Sequence, residues 1–163
     1  MRRTLLLVLS FFATQAFAAK GHSHGEAQLD VVIDKGQISL TLELPLDAAV
    51  GFERAPKSDK EKAALAAAET TLKDAGLFVP TAAAQCTAQP VELQLPQFSG
   101  EHADIEATYR FQCAAPAALK GIETTLFKHF KRLYRSEAQR VGPMPHGGQG
   151  KQRLTPKAPV LSW

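Results

Sequence analysis

Gln28-Leu29-Asp30-Val31-Val32-Ile33-Asp34-Lys35-Gly36-Gln37-Ile38-Ser39-Leu40-Thr41-Leu42-Glu43-Leu44 decides the fold class. Leu29, Val31 and Ile33 fall on one side of an extended chain, with Gln28, Asp30 and Val32 on the other. After Lys35-Gly36, Ile38, Leu40, Leu42 and Leu44 alternate with Gln37, Ser39, Thr41 and Glu43. Period 2 on both sides of a glycine turn predicts a β-hairpin with one buried face. Pro45 ends the second strand, because it has no N–H to give to a ladder.

Downstream, Gly51-Phe52-Glu53 marks a loop before the one strong helix. Ser58 followed three residues later by Glu61 is a capping box. The helix body, 60–75, is rich in alanine, and Leu65, Ala68 and Leu72 form a narrow apolar stripe suited to packing on a sheet. Gly76 stands where a C-terminal glycine cap belongs. A second hairpin follows. Val91, Leu93 and Leu95 alternate with polar residues up to Pro96, and Ile105, Ala107, Tyr109, Phe111 and Cys113 share the inner face of the segment 104–113. Beyond Pro116 the pattern predicts a strand at 122–126 and a short helix at 127–134 with Phe127, Phe130 and Tyr134 inward. Strands are expected near 139–141 and 150–154, around a Pro/Gly loop containing His146. The sum is an α+β domain: mostly antiparallel sheet with one main helix packed on it.

Upstream, Met1-Arg2-Arg3, the apolar run 5–13 and Ala16-Phe17-Ala18 have the form of a secretory signal, residues 1–18, with a small-x-small cleavage site. The run is too short to span a bilayer. The expected mature chain, 19–163, is of a length for one domain with one core. Without Arg2 and Arg3, the 19 basic residues come within one of the 16 acidic ones. Such a balance, with no basic stripe interleaved with aromatics, sets nucleic acid aside. In an exported chain the two cysteines, Cys86 and Cys113, pair by default. Closing that loop would stabilise the fold by about 3–4 kcal/mol on a chain-entropy basis. The rival reading, two thiolate metal ligands, has neither CxxC spacing nor a flanking histidine behind it.

Metal chemistry suggests itself at Gly21-His22-Ser23-His24-Gly25-Glu26. In an extended chain His22, His24 and Glu26 project together, with the parity of Gln28 and Asp30. His102 and Asp104, with Glu106, share the outer face of the later strand in the same way. If the two strands lie close, imidazoles from one meet an imidazole and carboxylates from the other. Such a set suits Zn²⁺, and imidazole-rich sites also accept Cu²⁺ or Ni²⁺. His129, between Lys128 and Lys131, is a poorer candidate. The serine-hydrolase, phosphate-loop and zinc-protease motifs are all missing, so no enzyme is expected.

With these residues in view, the chain resembles the zinc-regulated periplasmic protein A family. The resemblance rests on His22-x-His24-Gly25 with Ala27-x-Leu29, Gly51-Phe52-Glu53, the helix after Ala55-Pro56, and Cys86. It continues in His102, Glu106-Ala107-x-Tyr109-Arg110-Phe111-x-Cys113 and Gln152-x-Leu154-Thr155. It implies a periplasmic protein that binds zinc and assists its acquisition beside an uptake transporter, with His22, His24 and His102 at the family's histidine positions. There are two departures. The family's long His/Asp/Glu-rich loop has shrunk to Ser99-Gly100-Glu101-His102, and Arg54 stands where a histidine often follows Gly-Phe-Glu. Both argue against high capacity or several sites and leave one modest site, or none. The expectation is therefore a periplasmic zinc-binding accessory protein that assists zinc acquisition or sequesters the ion. Its rival is a metal-independent secreted domain whose sheet binds a protein or envelope component.

Overall fold

The computed structural model describes residues 24–98, 103–143 and 148–163. The expected signal sequence 1–18, His22, His102 and His146 lie outside them. The hairpin forms as its alternation requires. Strands β1 (Glu26–Asp34) and β2 (Gln37–Pro45) pair antiparallel, Val31 opposite Leu40. Lys35 and Gly36 both take positive φ, 46° and 81°. That is the mirror-image turn whose twist matches the strands it joins. Leu29, Val31 and Ile33 are buried, as are Ile38, Leu40, Leu42 and Leu44, while Val32 lies outside.

Pro45 stops the strand and starts a five-residue helix, α1 (Leu46–Val50), too short to leave a periodic signature in the sequence. Helix α2 (Asp59–Leu72) opens on the reciprocal Ser58–Glu61 capping box. The bidentate Arg54 guanidinium, then the Lys57 N–H, hold the Glu61 carboxyl down at about 2, from an ordinary 4.5. Gly76 is not the cap of this helix. Lys73 ends it in right-handed geometry, and the Asp74 carboxylate then accepts from the Gly76 N–H (2.8 Å) to start a separate helical turn.

The second half of the sheet is built on β6 (Asp104–Cys113). Two short strands, β4 (Cys86–Ala88) and β5 (Glu92–Gln94), share its outer edge. Cys86 lies opposite Cys113, and the two form the disulfide. β8 (Arg135–Val141) and β9 (Gln149–Leu154) complete the large sheet, in the order β4-β6-β2-β1-β8-β9. The β1–β8 contact is parallel, an exception to the antiparallel rule expected. β3 (Phe78–Pro80), β7 (Gly121–Thr124) and β10 (Val160–Ser162) make a second, three-stranded sheet. The Gln152 side chain ties the two sheets together. Its amide nitrogen donates to the Val160 carbonyl (2.6 Å), and its oxygen accepts from the Ser162 N–H (3.1 Å).

One core joins these layers, with Ala68 and Leu72 of α2, Phe78, Ile122 and Leu161 against the dry face of the large sheet. The helix expected over 127–134 is only α3 (Leu126–His129). Phe127 and Phe130 are buried as anticipated, whereas Tyr134 is 51% exposed because the chain has already straightened into β8. Among the described residues no helix is long and apolar enough to cross a membrane.

Tyr109 links the helix to the sheet. Its ring packs edge-on against Phe78, and its buried hydroxyl donates to the Leu72 carbonyl at the end of α2 (2.8 Å). Burial pushes the phenol well above its usual range. Helix ends leave carbonyls without intrahelical donors, and this one is supplied from the sheet. Tyr109→Phe is therefore expected to cost about 1–2 kcal/mol. Urea unfolding monitored at 222 nm measures it; wild-type stability would contradict the role.

Candidate metal centre

Three elements meet where β1 begins and β2 ends. His24 sits in a turn ahead of β1, Asp47 in the first turn of α1, and Glu53 just beyond α1. The sequence explains the last two. Pro45 sets the start of the helix, and Gly51 closes it in left-handed geometry (φ 92°), its N–H donating to the Asp47 carbonyl (2.9 Å). That reversal folds 52–53 back, so two carboxylates six positions apart converge.

The His24 Nδ1 lies 3.3 Å from an Asp47 oxygen and 3.3 Å from a Glu53 oxygen. One ligand atom from each of the three residues falls within 4.8 Å of the others. The imidazole is 72% exposed, the carboxylates about a fifth. A single imidazole N–H cannot serve two carboxylates well, and charge-assisted bonds usually run to about 2.7–2.9 Å. By contrast, bonds of about 2.0–2.1 Å to a tetrahedral zinc put neighbouring ligand atoms roughly 3.3–3.4 Å apart. Asp47 Oδ1, the second oxygen of that carboxylate, is buried with no hydrogen-bond partner. A buried carboxylate oxygen left unsatisfied is costly, and a cation bound there would offset its charge. The residues fit a divalent ion. One neutral imidazole and two carboxylates would balance the charge of Zn²⁺, leaving a fourth position open.

Gly25 sets the position of His24. Its φ is +71°, and its carbonyl accepts from the Tyr134 N–H (3.0 Å). A Cβ there would lie 2.6 Å from the Tyr134 ring and 2.9 Å from the Arg132 carbonyl. The left-handed residue also breaks the extended geometry that would put His24 and Glu26 on one face. Glu26 turns instead to β8, accepting from the Tyr134 hydroxyl (2.6 Å) and pairing with Arg135. Burial raises its pKa, but those two partners outweigh it, and the carboxyl stays below its ordinary range.

Asp104 opens β6 opposite Pro45. β2 therefore separates it from β1, and the two strands expected to lie close are second neighbours, roughly 9–10 Å apart at ordinary spacing. The ends do meet at α1: the Ala103 carbonyl accepts from the Leu46 N–H (2.8 Å), next to Asp47. His22 and His102 belong to the undescribed residues. His24 is thus the one expected ligand that the structure brings into the cluster, while Asp47 and Glu53 are additions. Their sequence signals are Pro45 followed at the right interval by a helix-ending Gly51 and, for Glu53, its place in the Gly51-Phe52-Glu53 motif.

The architecture defines a disulfide-bonded α+β domain with a three-residue candidate site for a divalent cation. Residues 21–163 match the family model described as ZrgA family zinc uptake protein, and the chain belongs to that family. No curated protein sequence matches it.

Gly25→Ala combines a φ that L side chains rarely adopt with contact against backbone, and it displaces His24 without removing a donor atom. Zinc affinity measured by competition with a chromophoric chelator is expected to fall about tenfold or more, on the scale of losing an outer-shell support. Unchanged affinity would show that His24 need not be held here.

Proposed function

We propose that this protein is an exported zinc-binding accessory, holding the ion at His24, Asp47 and Glu53 before surrendering it for uptake. The supporting observation is the 3.3 Å approach of the His24 Nδ1 to both carboxylates, in a chain of a zinc uptake family. Zinc is cargo here, and the site suits cargo. Three oxygen and nitrogen donors, with the imidazole largely in solvent, bind a borderline ion without enclosing it, and an incoming ligand can take the open position. His22 and His102, which the resemblance puts at the family's histidine positions, lie outside the described residues. The signal-like N-terminus and the disulfide fit a periplasmic location, where zinc would be bound without catalysis and passed to a transporter.

Calorimetric titration of the mature chain with zinc tests the reading. Asp47→Asn/Glu53→Gln is expected to lose at least the roughly 10–100-fold that removal of an outer-shell partner costs. Glu26→Gln, whose carboxylate serves Tyr134 and Arg135, is expected to bind as wild type. The same loss in both variants would refute the site. Absence of zinc binding by the wild type would favour a metal-independent binding domain.

A further inference from the structure

The segment Phe127-Lys128-His129-Phe130-Lys131-Arg132-Leu133-Tyr134 is strongly basic. Phe127, Phe130 and Leu133 are buried, and backbone bonds close the turn: Phe130 N–H to Leu126 (2.8 Å) and Leu133 N–H to Phe130 (3.1 Å). The anchoring leaves Lys128, His129, Lys131 and Arg132 in solvent. Several cations elsewhere are neutralised locally, as in Arg54–Glu61, Lys62–Asp59, Arg110–Glu92 and Arg153–Glu137. Among the described residues no carboxylate pairs with Lys128, Lys131 or Arg132. Three like charges held within five residues repel one another.

The same turn walls the candidate metal centre. A Cβ at Gly51 would lie 2.8 Å from the Arg132 Nε, so the guanidinium rests on the glycine two residues before Glu53. The Arg132 carbonyl and the Tyr134 N–H border Gly25, next to His24.

From this juxtaposition we propose that the basic turn, Lys128 to Arg132, is the docking surface for an acidic protein segment that exchanges zinc with the adjacent site. The proposal rests on the zinc-binding reading and names the chemistry of the partner. A zinc acceptor must carry carboxylates or imidazoles, and one rich in Asp and Glu is drawn to this face by its field. Complementary charge at an interface rim acts mainly through orientation and encounter rate. An anionic membrane fits less well. The turn has fewer cations than the clusters of 4–8 that mark lipid-binding segments; Phe127 and Phe130 are buried where they cannot insert, and the exposed Tyr134 ring is tied through its hydroxyl to Glu26.

The test is fluorescence anisotropy of a labelled peptide of alternating glutamate and glycine, with the metal-free mature chain at low salt. Its glutamine counterpart and phosphatidylglycerol vesicles are run beside it. Lys128→Gln/Lys131→Gln/Arg132→Gln is expected to weaken glutamate-peptide binding about tenfold, three exposed ion pairs at their usual strength. Lys128→Gln/Lys131→Gln, which touches no packed residue, is expected to lose most of that binding. Lys60→Gln/Lys73→Gln/Lys157→Gln removes equal charge elsewhere and is expected to bind as wild type. Equal weakening in the turn and control variants, or binding to vesicles but not to the glutamate peptide, overturns the proposal. Separate zinc titration of each protein keeps the two readings apart: peptide binding is measured without metal, and loss of zinc binding alone leaves the basic surface standing.

Discussion

Everything in this molecule is hung on β2, the central strand paired with β6 along its whole length and with β1 from Gln37 to Glu43. β1 flanks it on one side and β6 on the other, from Gln37 opposite Gln112 to Pro45 opposite Asp104. Four of its side chains, Ile38, Leu40, Leu42 and Leu44, are fully buried. Each contributes roughly 1.5–3 kcal/mol by leaving water. A one-residue slip would turn all four to solvent, so register is fixed by the same burial that stabilises the sheet. Pro45 ends the strand at a defined place, and that fixes where α1 starts and where Asp47 points.

The candidate site is a consequence of that ending. Its three donors come from a turn, a helix and a loop, and each is positioned by a backbone feature next to it: Gly25 beside His24, Pro45 before Asp47, and Gly51 before Glu53. None of the three donors lies within a strand, so the sheet is free to be rigid while the site stays open. The basic turn reaches the same corner by another route. β8 returns parallel to β1, so the chain entering β8 must pass Gly25 before Arg135 can pair with Glu26.

Local chemistry made the strands legible. Alternation around Lys35-Gly36, the inner face ending at Cys113 and the Ser58–Glu61 box each act within a few residues, and each formed as expected. What failed was range. Parallel pairing joins Glu26 to Arg135 across most of the chain, and no periodicity announces it. Same-face reasoning for His24 and Glu26 assumed extended backbone through Gly25, whose left-handed φ breaks it. α1 was too short to register, so the convergence of Asp47 on Glu53 went unseen although both ends of that helix carry marker residues. Tyr134 was placed inward by helical spacing in a stretch that is no longer helix.

The most direct measurement is anomalous diffraction at the zinc edge from crystals of the zinc-loaded mature chain. A peak within bonding distance of the His24 Nδ1 and of oxygens from Asp47 and Glu53 is the expected result. A peak elsewhere, with His24 still turned to two metal-free carboxylates, would contradict it.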